Sequence, residues 1–201
     1  ILHLDTGAMY RAAGIAVLRA GIDMRSEEAV SAFVEEQVNV SVLYENGEQR
    51  TLLNGEDVTA LLRTQEVSEA ASRVSQYRRV RNKMVACQQK EAARQPMLLD
   101  GRDIGTVVLP DATVKIFLTA APEARAQRRC TELRQKGIDV SFEEVLKDVQ
   151  ERDYNDTHRA VAPLKAADDA VVLDTTCLDL EQSLEVLVRM IREGIADAQR
   201  G

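Results

Sequence analysis

Met97-Leu98-Leu99-Asp100-Gly101-Arg102-Asp103-Ile104-Gly105-Thr106 is the stretch on which the reading of this chain turns. Pro96 precedes a short apolar run, and two carboxylates, an arginine and two glycines follow it. That is the pattern of a short buried strand ending in a turn. In open α/β sheets, ligands bind outside the carboxyl ends of strands. An arginine fork at such an end suits a phosphate, and a carboxylate there can accept from an amino group or lie near a metal. Taken alone, the same residues equally describe a tight turn with a solvated ion pair.

On either side of this stretch the chain alternates between strand and helix patterns. Ile1 to Leu4 reads as a strand ending at Asp5-Thr6-Gly7, followed by a helix to about Ala20 with Met9, Ala12, Ala13, Ala16 and Val17 on one face. Gly21 is a helix stop, and Ser26 caps a second helix that ends near Gln37. Val38, Val40 and Val42 then alternate with polar residues ahead of Asn46-Gly47, the signature of a tight hairpin, and a return strand runs from about Gln49 to Leu53. From Asp57 to about Arg94 the pattern is helical, with a break at Thr64-Gln65-Glu66. After the strand at 97–100, a strand is predicted at Val114 to Leu118 and a helix from Pro122 to about Lys136. A capped helix follows from Ser141 to about Tyr154, then a strand from Ala170 to Leu173 and a last helix begun by Asp179. Strands and helices alternating at this spacing imply an α/β fold, a parallel sheet flanked by helices, with the antiparallel patch inserted.

Composition narrows the functional classes. With 45% hydrophobic residues among 201, a substantial core is possible, yet no run reaches the roughly 18 apolar residues that span a bilayer. No membrane partner or signal peptide is therefore expected. The net charge of −7 argues against a nucleic-acid surface, and the lack of Trp argues against stacking platforms for bases. Cys87, Cys130 and Cys177 are scattered, lack metal-ligand spacing and read as buried thiols of a reducing cytosol, so no protein metal site is expected. Arginines nevertheless cluster, at Arg78, Arg79 and Arg81, at Arg125, Arg128 and Arg129, and at Arg152 and Arg159. An acidic chain with local arginine groups fits a small anionic ligand, although most such arginines pair with neighbouring carboxylates on helix surfaces.

Two further segments carry possible chemistry. In Asp5-Thr6-Gly7-Ala8-Met9-Tyr10-Arg11, a helix start, a hydroxyl and an arginine one turn on could hold an anion; Asp5 and Thr6 also read as plain helix caps. Glu151-Arg152-Asp153-Tyr154-Asn155-Asp156-Thr157-His158-Arg159 packs charges of both signs into nine residues. There Arg152 and Asp156 also read as an ordinary surface pair, and His158 as a solvated loop residue.

Read together, DTGAMYR, LNGEDVT, RTQEVS, DGRDIGTVVLPDA, KIFLTA, ERDYND and RAVAPLKAADDAVVLDTT closely resemble the bacterial cytidylate kinases, in the right order and over essentially the whole chain. The resemblance implies a P-loop kinase core over 1–36 and 95–201, including a short helical lid at about 125–155. It also implies an inserted antiparallel-β and helical domain over 37–94 that binds the nucleoside monophosphate. It implies ATP-dependent phosphorylation of CMP and dCMP to the diphosphates, with Mg²⁺, by a cytoplasmic enzyme expected to be a monomer. The family's phosphate-binding and catalytic arginines fall on Arg11, Arg102 and Arg159, and its cytosine contacts on Ser72, Arg81 and Asp103. Its ribose contacts fall on Thr6, Arg152 and Asp156, and its lid arginines on Arg125, Arg128 and Arg129, among which the resemblance does not decide. The family opens with a strand and a G-x-x-x-x-G-K-[ST] loop that cradles the ATP phosphates, and the 201 residues contain no such sequence. A strand-loop-helix unit of roughly 30 residues is expected ahead of Ile1. A chain truly without it is expected to bind CMP and not to phosphorylate it.

Overall fold

The computed structural model describes residues 1–200 of the chain. They form two units, one of Ile1–Val108 with Arg159–Ala162, the other of Leu109–His158 with the residues from Pro163 onward.

In the first unit β1 (Leu2–Asp5) runs directly into α1 (Thr6–Arg19). The turn into the helix is set by Asp5, whose carboxylate accepts from the Ala8 backbone N–H at 2.9 Å and so satisfies one of the helix's unpaired donors. Leu4, Met9, Ala12, Ala13 and Val17 are wholly buried and start the core. Each large apolar side chain so buried contributes about 1.5–3 kcal/mol. Helix α2 (Glu27–Gln37) begins at Ser26, whose hydroxyl accepts from Ala29 N–H at 3.3 Å. Strands β2 (Val40–Glu45) and β3 (Glu48–Leu53) form the expected hairpin, in register from Val40↔Leu53 to Glu45↔Glu48. Its turn needs positive φ at both central residues, and Asn46 (+53°) and Gly47 (+83°) supply it.

The stretch from Asp57 to Arg94 departs from expectation. A two-residue strand, β4 (Glu56–Asp57), joins β3, and Thr59–Leu61 forms a single 3₁₀ turn. Thr64, read above as part of a break, is the N-cap of α3 (Gln65–Val74), accepting from Val67 N–H at 3.3 Å. The chain is interrupted there, ahead of α3, and a second interruption that the pattern did not show comes at 75–77, ahead of α4 (Arg78–Ala92). The run of helix-forming residues hid a break that contains no Gly or Pro. After α4, β5 (Met97–Asp100) pairs in parallel with β1, from Leu2↔Met97 to Asp5↔Asp100, which brings the carboxyl ends of both strands side by side. Ile104–Val108 then coils as a π-helical turn that periodicity did not show. Helices α1 and α3 meet closely at Gly14, where a Cβ would lie 3.0 Å from Ala70 Cβ.

The second unit repeats the strand-helix alternation in β6 (Ile116–Thr119), α5 (Pro122–Gln135), α6 (Phe142–His158), β7 (Val171–Asp174) and α7 (Leu180–Ala198). Strands β6 and β7 are parallel, from Ile116↔Val171 to Thr119↔Asp174. Helices α5 and α6 pack through Ala126, Cys130 and Val145, flanked by Leu133, Val140, Phe142, Leu146 and Val149. Asp179 opens α7 in a full capping box with Gln182. The fold is α/β, with parallel strands and flanking helices as expected. Its parallel strands are two pairs, β1 with β5 and β6 with β7. Among the described residues no helix is long and apolar enough to cross a membrane.

Candidate active site

The junction of β1 and α1 carries the first group of predicted residues. Asp5 uses one carboxylate oxygen as the helix cap and turns the other to Arg11 Nη1 at 3.4 Å. Thr6 is buried, and its hydroxyl donates to the Asp100 carbonyl at 2.7 Å, which ties α1 to the end of β5. That approach requires glycine at 101, since a Cβ there would fall 2.5 Å from Thr6 Oγ1. Asp100 Oδ1 lies 2.7 Å from His3 Nε2 and, as a carboxylate, accepts from it when the imidazole carries a proton there. Its carboxyl is raised above the ordinary aspartate range, first by loss of surrounding water and then by the Asp5 carboxylate; His3 and Arg102 oppose the rise. Arg102 is exposed at the turn beside it.

The second group lies between α4 and the π-helical turn. Arg81 and Asp103 are a fully buried ion pair, with side chains 3% and 7% exposed. Arg81 also donates from Nη1 to the Ser75 carbonyl at 3.1 Å, and its guanidinium lies 5.6 Å from the centre of the Tyr10 ring, over its face. Asp103 is held in turn by its backbone, whose carbonyl accepts from Val107 N–H at 2.9 Å. The Tyr10 hydroxyl and the Gln88 amide are buried close to each other. Burial pushes the Tyr10 hydroxyl up to about 12, against the pull of Arg81; Asp103 raises it further, and Arg159 and Gln88 help to hold it down. Arg159 is anchored by its Nε, which donates to the Ala162 carbonyl at 2.6 Å.

Of the predicted residues, the first unit thus brings together Arg81, Asp103 and Arg159 around Tyr10, and Thr6 and Arg11 around Asp5. Ser72 is half-buried on α3. Arg102, at the exposed turn after β5, completes the first unit's set, and the remainder stand in the second unit. Arg152 and Asp156 are one turn apart on α6, which runs four residues beyond the expected end at Tyr154. His158, expected in a loop, is the last residue of that helix and stacks on Tyr154 with ring centres 4.1 Å apart. Arg125 grips Asp153 through both Nη atoms, at 2.8 and 2.5 Å, and the Ala120 carbonyl through Nε at 2.9 Å. Arg128 donates to the Thr175 carbonyl and hydroxyl and to the Leu178 carbonyl. Arg129 reaches only along its own helix, to Glu132 at 2.8 Å. Tyr10, Gln88 and Gln49 were not singled out from the sequence. Tyr10 sits beside Arg11 in a stretch already marked. Gln49 shares the face of β3 that carries buried Thr51 and Leu53, and a polar residue on a buried face was the available signal.

Comparison with known proteins bears on the family of the chain as a whole. A sequence profile of the cytidylate kinase family matches residues 1–193. The cytidylate kinase of Caldicellulosiruptor bescii is 44% identical over 189 residues, 94% of this chain and 83% of that protein. That of Erwinia tasmaniensis is 44% identical over 193 residues, 96% of this chain and 85% of that protein. That of Klebsiella pneumoniae is 45% identical over 195 residues, 97% and 86%. With the α/β fold, the paired strand ends and the buried Arg81–Asp103 pair already in view, a match of this extent leaves one assignment: the chain belongs to the cytidylate kinase family.

Proposed function

We propose that this protein transfers a phosphoryl group from ATP to CMP and dCMP, giving CDP and dCDP. The observation that carries the reading is the buried Arg81–Asp103 pair beneath Tyr10. Cytosine presents an amino donor where uracil presents a carbonyl acceptor. The Asp103 carboxylate accepts from that amino group and repels uracil's oxygen. Arg81 has five N–H groups. Asp103 and Ser75 take two of them, and others serve, with Ser72, the O2 and N3 acceptors of cytosine. Arg11, Arg102 and Arg159 are assigned to the monophosphate, and Thr6, Arg152 and Asp156 to the sugar.

The acceptor phosphate oxygen of CMP is itself the nucleophile, so the protein aligns it and neutralises charge. Mg²⁺ supplies charge neutralisation on the ATP phosphates when bound. Among the described residues no group of three or more His, Cys, Asp or Glu could hold a metal ion. In this reading residues 37–94 bind the monophosphate and about 125–155 close as a lid. Of the lid arginines, Arg129 is the readiest to turn toward phosphate, because Glu132 on its own helix is its only partner described here. The protein acts as a cytoplasmic monomer without nucleic acid.

The test is turnover of CMP, dCMP, UMP and AMP with ATP and Mg²⁺. CMP and dCMP are expected to be phosphorylated at least about tenfold more efficiently than UMP, the effect of one buried hydrogen bond lost and one acceptor left facing another. Equal use of UMP overturns the base-reading assignment. Tight CMP binding without turnover instead favours a nucleotide-binding module. Asp156→Ala is expected to slow both CMP and dCMP, and wild-type rates in that variant remove it from the sugar site.

A further inference from the structure

One side chain of the hairpin reaches the strand end that carries the site. Gln49 of β3 accepts from the Asp5 backbone N–H through Oε1 at 2.8 Å, and its Nε2 donates to the Asp5 carbonyl at 3.3 Å. The backbone N–H and C=O of a strand residue point to the same side. At Asp5 that is the side away from β5, and among the described residues no strand pairs there. The primary amide therefore gives Asp5 the two-point contact that a neighbouring strand would give. A primary amide donates and accepts at once with this spacing, which an ionised carboxylate of the same shape cannot do. Its orientation is fixed by Thr51, whose hydroxyl accepts from the same Nε2 at 3.2 Å and whose backbone N–H is held by Thr59 Oγ1 at 2.9 Å.

Asp5 passes the constraint on. Its carboxylate caps α1 through Ala8 and faces Arg11. There is little slack, since a Cβ at Gly7 would lie 3.0 Å from Asp5 Oδ1 and 3.4 Å from Arg11 Nη1. We propose that Gln49 is a positioning residue: by clamping the Asp5 backbone it aims Arg11 at the phosphate of the bound nucleotide. The proposal rests on the assignment of Arg11 to that phosphate, made above. It links the hairpin to the start of α1 through one amide, so that the hairpin's seating and the arginine's aim are set together.

Gln49→Met keeps the length of the side chain and removes both hydrogen bonds. Two quantities are read on the full chain: amide hydrogen exchange at Asp5 and Ala8 without ligand, and calorimetric affinity for CMP and for cytidine, which lacks the phosphate. The expected result is exchange at Asp5 faster by about tenfold or more, CMP affinity weaker by about tenfold, and cytidine affinity unchanged, the size of effect that one or two lost hydrogen bonds produce. A purely structural role would lower the melting temperature and weaken both ligands alike, which overturns the proposal. Unchanged exchange overturns the clamp itself. Faster exchange with wild-type affinity for CMP overturns the aiming of Arg11. If the wild-type chain binds cytidine and CMP equally, the phosphate assignment of Arg11 falls, and the clamp is then judged by exchange alone. Thr51→Val leaves Gln49 in place and removes the acceptor that orients its amide. It is expected to weaken CMP in the same direction by a smaller factor, and it decides the matter should Gln49→Met not fold. A folded Thr51→Val with wild-type exchange and affinity counts against the proposal.

Discussion

Each unit has an arginine bonded to an aspartate, and the two pairs are built for different ends. Arg81 and Asp103 are sealed from water, with a tyrosine face against the guanidinium. Arg125 and Asp153 have better fork geometry, two parallel hydrogen bonds, yet about a third of each side chain remains in solvent. Geometry alone would rank the second pair higher. Burial reverses the ranking, because a desolvated charge depends wholly on its partner while a wet one does not. The first pair is fixed in place, as the base-reading role proposed for it requires; the second is a clasp between α5 and α6 that can be undone at small cost.

The largest effect expected from breaking this contrast is that of Asp103→Ala. It leaves the Arg81 charge buried and unpaired, which costs about 3–5 kcal/mol. Urea unfolding measures that loss. In the folded fraction, kcat/KM for CMP should fall sharply and the preference over UMP should shrink; an unchanged CMP/UMP ratio sinks the assignment. Gly14→Ala probes the packing that surrounds the first pair without touching charge. The new methyl meets Ala70 Cβ at 3.0 Å and the Ala71 backbone nitrogen at 3.1 Å, and overpacking of this kind costs about 1–3 kcal/mol, more than the helix propensity gained. A melting temperature equal to wild type would show that the seam yields. Arg125→Met should cost no more than about 1 kcal/mol, the ceiling for a pair this wet. A loss comparable to that of Asp103→Ala would erase the contrast.

The smallest effect is a pH dependence. Asp100 is raised in the folded protein, so its neutral form is favoured there. That contribution is fully present below the ordinary aspartate value, near 4, and is lost as pH rises through the raised value. Above it, the ionised carboxylate facing Asp5 costs stability. Asp100→Asn should therefore melt higher than wild type at pH 7, with the difference fading toward pH 3. A difference that grows on acidification would reverse the assigned sign.

The parts of the fold legible in the sequence were those that local chemistry dictates. Ser26 and Asp179 cap helices, Asn46-Gly47 turns the hairpin, and Met97 to Asp100 forms the strand beneath the site. What stayed hidden depends on distant partners. The break at 75–77 bears no punctuating residue, and the π-helical turn after Asp103 is closed by that residue's own carbonyl. In the site, the family resemblance named Arg81 and Asp103 as contacts to one base; that they bond to each other, twenty-two positions apart and over Tyr10, only the tertiary structure shows. Gln49 stayed hidden because its meaning lies in the unpaired edge of a strand forty-four residues away.

Gly14 has a mechanical consequence. Helix α1 begins with Thr6 and carries Arg11, helix α3 carries Ser72, and the two touch backbone to backbone where Gly14 meets Ala70 and Ala71. Contact that close leaves no plane along which the helices can slide. The wall assigned to the base and the wall assigned to the phosphate therefore travel as one plate, and whatever hinge the enzyme uses to admit and release nucleotide lies outside this seam.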